Sequence, residues 1–330
     1  MCARQILVVG GAGYIGSHAV RMLRKQGDLP IIFDNLSTGH RASVSSETFF
    51  LGDVRNPLDL DRVFQENQID AVMHFCAKSL VGESMQMPEI YFENNIVGGF
   101  NLLQAMLRHQ VSSIIFSSTA ATFGQPDELP IHETTTQTPT NPYGESKLIF
   151  EKMLRWYDEC HGLKSVILRY FNAAGADDEG DIGEDHTPET HLIPIIAHVL
   201  AVKREKLQIY GRDYPTPDGT CVRDYIHIND LARAHMLALD YVLKEKKSID
   251  FNLGNGHGHT VLEVVQMVEK VSGKKVPYIH SDRRAGDPAT LIASSERIQN
   301  TLGWKPRYSL EEIVSTALRW HSLHPEGYAT

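Results

Sequence analysis

Tyr143 and Lys147 stand four residues apart in the string Asn141-Pro142-Tyr143-Gly144-Glu145-Ser146-Lys147. With Asn141 as N-cap and Pro142 at the first helical position, Tyr143 opens a helix, and Lys147 follows one turn later on the same face. A phenol of pKa ~10 is a poor base at neutral pH, and a neighbouring ammonium favours its phenolate. A tyrosine so placed can take the proton of a carbinol whose hydride leaves to an acceptor beside it. Upstream, Ile115-Phe116-Ser117-Ser118-Thr119 ends a strand-like run with hydroxyls able to hydrogen-bond such an alcohol. Surface Tyr–Lys pairs are common by chance, so the reading depends on a hydride acceptor being held elsewhere in the chain.

The string Gly10-Gly11-Ala12-Gly13-Tyr14-Ile15-Gly16 supplies a place for one. Gly10, Gly13 and Gly16 are spaced GxxGxxG rather than GxGxxG. The physical demand is similar: a sharp turn after a strand, close backbone approach to a pyrophosphate, and a helix N-terminus aimed at it. Asp34 follows the next strand, where a carboxylate accepts hydrogen bonds from an adenosine ribose and repels a 2′-phosphate, so NAD is expected over NADP. Asp53, in Gly52-Asp53-Val54, is placed to meet the adenine amino group. Both aspartates also suit ordinary post-strand turns.

These residues require strands that end together and helices that begin there. Short apolar runs at Ile6–Val9, Ile31–Phe33, Thr48–Leu51, Ala71–Phe75, Ile114–Ser117 and Val166–Arg169 alternate with helical patterns. The helical patterns are Ile15–Lys25, Leu58–Gln65, Glu89–His109 and Tyr143–His161. Such alternation predicts an α/β fold with a doubly wound parallel sheet, its strands apolar almost throughout because helices cover both faces. After Asn172 the composition turns acidic and Gly-rich, then breaks into short elements. Ser248–Leu253 reads as a further strand. Thr260 with Glu263, and Ser309 with Glu312, fit capping boxes. The expectation is a dinucleotide-binding domain over 1–172 and a smaller mixed α/β substrate lobe over 173–330. Segments near 221–253 are expected to return to the first domain, and a ligand to sit between the lobe and the sheet's carboxyl edge.

Composition narrows the partners. At 330 residues, with 42% hydrophobic and 22% charged residues, the chain matches an ordinary soluble protein. A net charge of -9 without a Lys/Arg block argues against nucleic acid or an acidic membrane. Cys2, Cys76, Cys160 and Cys221 are widely spaced, so neither disulfides nor a zinc site is expected and a reduced cytoplasm fits. No run spans a bilayer, and the N-terminus leads straight into a strand. His257 and His259 are the closest histidine pair but lack an HExxH pattern, so no metal is expected.

Together the glycine turn, Asp34, the Ser/Thr segment and Tyr-x3-Lys resemble the extended short-chain dehydrogenase/reductase family, whose dinucleotide domain is Rossmann-like. Longer strings resemble its UDP-hexose 4-epimerase branch over nearly the full chain. They include Asp34-Asn35-Leu36, His74-Phe75, Val81-Gly82-Glu83-Ser84, Arg169-Tyr170-Phe171-Asn172, Tyr210-Gly211 and Asp213-Tyr214-Pro215-Thr216. Further on come Asp218-Gly219-Thr220, Val222-Arg223-Asp224-Tyr225-Ile226-His227 and Arg283-Arg284-Ala285-Gly286-Asp287-Pro288.

That resemblance implies NAD-dependent, reversible epimerisation at C4 of UDP-glucose and UDP-galactose through a transient 4-keto sugar, in galactose metabolism. Tyr143 would be the base, Lys147 would hydrogen-bond the nicotinamide ribose, and Thr119, where such enzymes commonly have serine, would bind the sugar. On the cofactor side it adds Tyr14, Ile15, Asn35, Val54, Phe75, Asn95 and Tyr170. Lys78 lies one place before a lysine that contacts cofactor in some relatives. On the substrate side it implies Arg223 and Arg284 on the uridine diphosphate, Asp287 on its ribose and Asn172 near the sugar phosphate. His191, Leu192, Gln208 and Tyr210 complete that set. Paired arginines suit a diphosphate through planar bidentate contact. Leu291 stands where relatives vary between bulky and small residues, a position linked to accepting N-acetylated sugars, and leucine is intermediate.

UDP-GlcNAc/UDP-GalNAc and UDP-uronate epimerases remain alternatives. A nucleotide-sugar dehydratase is disfavoured, because Thr119-Ala120-Ala121-Thr122 lacks the carboxylate that elimination needs. A non-catalytic NAD-binding protein would have no use for Tyr143 and Lys147. The resemblance further implies a homodimer packed through Glu89–His109 and Tyr143–His161.

Overall fold

The computed structural model describes residues 3–284 and 287–328; Cys2, and Ala285 and Gly286 of the arginine-rich string, lie outside them. The chain forms two compact units, each discontinuous in sequence. The first comprises Met1–Gln125, Thr135–Arg169 and Ala232–Phe251; the second comprises Pro126–Thr134, Tyr170–Leu231 and Asn252–Thr330.

The first unit is built on β1 (Gln5–Val9), β2 (Leu29–Asp34), β3 (Thr48–Leu51), β4 (Ala71–His74), β5 (Ser113–Thr119) and β6 (Lys164–Tyr170), with a seventh strand at Ile249–Leu253. Their order is Ile249–Leu253, β6, β5, β4, β1, β2, β3. β1 runs parallel to both β2 and β4, with Val9 opposite Phe33 on one side and His74 on the other. The strand order therefore reverses at β1, and the crevice beyond its carboxyl end is the usual ligand position of such a sheet. Leu7, Val9, Ile31 and Phe33 pack against Leu102, Met106, Phe150 and Leu154 of the covering helices. Apolar strands covered in this way make the unit a Rossmann-like α/β domain.

The helix carrying Tyr143 runs Pro142–His161. Asn141 caps it by accepting from the Gly144 N–H at 2.9 Å, and Gly162 ends it in the left-handed conformation at φ 70°. The expected single helix Glu89–His109 is three pieces: an α-turn Pro88–Tyr91, a π-helical stretch Phe92–Val97, and an α-helix Gly98–Arg108. The wider π-turn accompanies an inward Asn95, whose side chain accepts from the Lys78 N–H (2.9 Å) and donates to Ser146 Oγ (2.9 Å). Hydrophobic spacing alone carries no mark of that turn.

In the second unit, the strand Val222–His227 pairs with Gly258–Thr260, Thr290–Leu291 and Asn172–Ala174, and Leu207–Tyr210 pairs with Tyr278–Ser281. Ile193, Ile196, Val264, Val268, Ile313 and Val314 form its core. Both expected capping boxes are present, at Thr260/Glu263 and Ser309/Glu312. Asp224 pins the central strand by accepting from the N–H groups of Asn255, Gly256 and Ala293.

Candidate active site

Gly10 adopts φ +79°, and a Cβ there would lie 2.5 Å from the Cys76 nitrogen. At Gly16 it would come within 2.2 Å of the Gly10 carbonyl. The turn can therefore close only with glycine at both positions. At Gly13 the nearest atom would be 3.5 Å away, so this residue leaves the helix mouth open. Tyr14–Lys25 starts there without a side-chain cap and without an acidic residue in its first turn. Its first amide donors and positive dipole end are thus left for an anion.

The adjoining cleft, about 440 Å³, is lined by Gly10, Gly13, Asp34, Asn35, Ser37, Thr38, Phe75, Cys76, Ala77, Lys78 and Asn94. Asp34 is held by the N–H groups of Ala12 (2.9 Å) and Leu36 (2.8 Å), each on a different oxygen. Burial raises its pKa against those two bonds. A fixed carboxylate beside an uncapped helix start fits an adenosine ribose and pyrophosphate, so the residues present fit a dinucleotide.

Asp53 is committed to its neighbours. It accepts from Arg55 Nε (2.9 Å) and Nη2 (2.7 Å) and from Asn35 Nδ2 (3.0 Å), and Arg55 holds its pKa well below the usual range. Val54 is buried beneath Gly98. Tyr14 is buried edge-on to His18, Ile15 is half-buried, and Phe75 lies 4.9 Å from the His235 ring.

At the end of β5, Thr119 Oγ1 accepts from the Ala121 N–H at 3.2 Å, and Thr119 lies within interaction range of the buried Tyr143 phenol. Lys147 is buried, donates to the Ser117 carbonyl at 2.8 Å, and places its ammonium 4.8 Å over the Phe116 ring. Burial pulls the Lys147 pKa down to about 8. Burial also pushes the Tyr143 pKa up, with the nearby Thr119 hydroxyl opposing it. The sequence expectation rests on the Lys147 ammonium together with a cationic nicotinamide; without that second charge, desolvation sets the direction of the Tyr143 shift.

Behind this pair lies a buried ion network. Glu151, one turn beyond Lys147, accepts from Ser118 Oγ (2.6 Å), Arg169 Nε (2.9 Å), Arg169 Nη2 (2.7 Å) and Gln137 Nε2 (3.0 Å). Arg169 reaches Asp250 at 2.8 Å. The network ties β5, β6 and the Tyr143 helix together immediately beside the reacting hydroxyls.

In the second unit, the Arg284 guanidinium lies 3.9 Å over the Tyr210 ring, and the Tyr210 hydroxyl donates to Gln208 at 3.0 Å. Gln208 also donates to Ser281 Oγ at 2.6 Å. Arg223 pairs with Asp287, and Leu291 lies opposite Arg223 in the adjacent strand. Asn172 pairs in register with Tyr225, Tyr170 ends β6, and His191 is the N-cap of the helix Leu192–Leu200.

The model of the GDP-mannose 4,6-dehydratase family matches residues 7–317. The chain is 54% identical over 326 residues to the UDP-glucose 4-epimerase of Halalkalibacterium halodurans, covering 98% of each. This chain belongs to the UDP-glucose 4-epimerase family. A solved UDP-glucose 4-epimerase superposes with TM-score 0.97 at 49% identity over 99% of this chain and 100% of that one. The Brucella ovis UDP-glucose 4-epimerase in complex with NAD superposes with TM-score 0.94 at 45% identity, covering 96% and 98%.

Within the wider dehydratase-like group, the epimerase branch is consistent with the turn after Thr119. Ala120, Ala121, Thr122 and Phe123 form a short 3-10 turn with no acid on it. Sequence reasoning missed Ser37, Thr38, Cys76, Ala77 and Asn94 as cleft residues. Their one signal was adjacency to Asp34-Asn35, Phe75 and Asn95. It also missed the support that Glu151 and Arg169 give from behind.

Proposed function

We propose that the chain interconverts UDP-glucose and UDP-galactose at C4 with NAD as resident cofactor, acting as a cytoplasmic homodimer in galactose metabolism. The observation that carries the reading is buried Lys147, one turn from Tyr143 and bonded to the Ser117 carbonyl at 2.8 Å beside the Thr119 strand end, in the same unit as the uncapped helix and Asp34. Bound NAD would supply a reversible hydride acceptor for C4 and, in its oxidised form, positive charge. The nucleotide would be held by Gly10, Gly13, Gly16 and Asp34, with Lys78 lining the cleft and Asn95 holding the Lys78 backbone.

Tyr143 takes the 4-OH proton and Thr119 orients that oxygen. Lys147 stays protonated and favours the phenolate, supplying charge that offsets the burial cost of ionising Tyr143. Loss of hydride and proton leaves a 4-keto sugar. The hexose then turns about its link to the diphosphate and is reduced on its other face, while Tyr143 returns the proton. Binding energy must therefore rest on the nucleotide and leave the sugar free to rotate. Arg223, Arg284, Asp287, Asn172, Gln208, Tyr210, His191 and Leu192 are assigned to that grip, with Arg284 flattened on Tyr210 for a planar contact to phosphate.

The dimer reading is supported by exposed Phe92, Val97 and Phe100 along the π- and α-helical run and by Trp156, 67% exposed, on the Tyr143 helix. Purified protein should equilibrate UDP-glucose and UDP-galactose without added reductant. No turnover with NAD present would remove the assignment.

A further inference from the structure

Glu184, His186, Glu189 and His191 lie just ahead of the helix Leu192–Leu200, and one ligand atom from each falls within 4.8 Å of the other three. The two carboxylates are deeply buried, with Glu184 4% and Glu189 6% exposed, whereas His186 and His191 are 28% and 51% exposed. His191 Nδ1 contacts Glu184 Oε1, and His186 Nδ1 lies 3.3 Å from that same oxygen. Each ring nitrogen is 3.9 Å from a Glu189 oxygen. The intervening Asp185 turns the other way and accepts from the Tyr328 N–H at 2.9 Å.

Two buried carboxylates facing one another need compensating positive charge. Protons on both imidazoles would crowd two donors onto Glu184 Oε1, while Glu189 Oε1 accepts from the backbone N–H groups of Thr190 (2.6 Å) and His191 (2.8 Å) and lies beyond hydrogen-bond reach of either ring. A single cation at the centre serves all four groups. Ligand atoms at about 2.0–2.2 Å from a tetrahedral ion are about 3.3–3.6 Å apart; His186–Glu184 at 3.3 Å and the two imidazole–Glu189 spacings at 3.9 Å fall at or just beyond that range, and the His191–Glu184 contact would open to admit the ion.

We propose that Glu184, His186, Glu189 and His191 form a site for a divalent first-row transition ion, with Zn²⁺ the best match. Two imidazoles select against Mg²⁺ and Ca²⁺, and four protein ligands make a closed, structural site. The ion would brace the segment whose last residue, His191, is the N-cap of the helix Leu192–Leu200, so His191 would serve the UDP-sugar grip by positioning Leu192 rather than by lending its imidazole. Asp177, Glu179 and Asp181 also cluster, but they offer no imidazole and make a useful control.

Full-length protein, stripped with a chelator and dialysed, would be titrated with ZnCl2 by calorimetry and with CoCl2 by visible absorption. The expected result is one ion per chain and the strong d–d bands of tetrahedral Co²⁺. His186→Ala and Glu184→Gln should each weaken Zn²⁺ at least tenfold, and Glu179→Gln should leave it unchanged. Zinc-edge X-ray absorption on the wild type should show imidazole scattering, which keeps the test independent of variant folding. No bound ion, an absorption spectrum without imidazole, or unchanged affinity in both ligand variants would overturn the site.

Discussion

Replacing Glu151 by glutamine probes whether the reacting hydroxyls are held in place by a buried charge. Glu151 and Arg169 are both 0% exposed, and Glu151 takes four hydrogen bonds from Ser118, Arg169 and Gln137. Glutamine keeps one oxygen, but its NH2 group must face a donor from either Arg169 or Gln137. Removing one partner of a buried ion pair costs about 3–5 kcal/mol. Asp250, 2.8 Å from Arg169, retains part of the balance, which places the expected loss near the lower end, about 3 kcal/mol. Urea unfolding of wild type and Glu151→Gln at equal slope measures it. Glu151→Leu combined with Arg169→Met should recover most of the loss, because the two fully buried charges leave together and Asp250, the remaining partner of Arg169, is 24% exposed and reaches water. The reasoning fails if Glu151→Gln costs under about 1 kcal/mol, or if the double variant is no more stable than Glu151→Leu alone. Turnover should fall in Glu151→Gln, since Ser118 precedes Thr119 and Glu151 follows Lys147 by one turn.

Other consequences follow from the same geometry. With its pKa near 8, Lys147 carries its charge below that pH, so kcat should decline as pH rises through about 8; a profile flat to pH 10 contradicts the ammonium's role. The lowered lysine pKa also means the unfolded chain binds more protons between about 8 and the ordinary lysine value, so this group's contribution to stability rises with pH across that window. Gly16→Ala should destabilise the fold, because its Cβ meets backbone at 2.2 Å. Gly13→Ala should fold normally and lose NAD affinity, a contrast that melts with and without NAD would show. Asp34→Asn should weaken NAD by about tenfold or more, the worth of a charge-assisted hydrogen bond; equal NAD affinity contradicts the ribose assignment. Arg284→Ala should raise KM for the UDP-sugar about 10- to 100-fold with a smaller change in kcat.

Much of the first unit was legible because its central strands are buried on both faces, so apolar runs such as Ile6–Val9 and Ile114–Ser117 stand out between helical patterns. Local chemistry was equally readable: Asn141-Pro142 starts a helix, and Thr260 and Ser309 close capping boxes, because caps depend only on residues three or four apart. What stayed hidden depends on distant partners. The π-turn at Phe92–Val97 accompanies Asn95 meeting Lys78 and Ser146, contacts that no periodicity records. Glu151 reads as an ordinary helical glutamate until β6 brings Arg169 against it. The rise in the Tyr143 pKa needed burial to be known. His257 and His259 drew attention by proximity in sequence, whereas His186 and His191 share a cluster through the path of their loop.

The central claim is that Tyr143 moves the C4 hydroxyl proton while NAD stays bound. Turnover of UDP-galactose by Tyr143→Phe, measured on protein with its NAD content assayed in parallel, addresses it most directly. The account predicts a loss of at least about 100-fold with NAD retained. Wild-type turnover in Tyr143→Phe would contradict it.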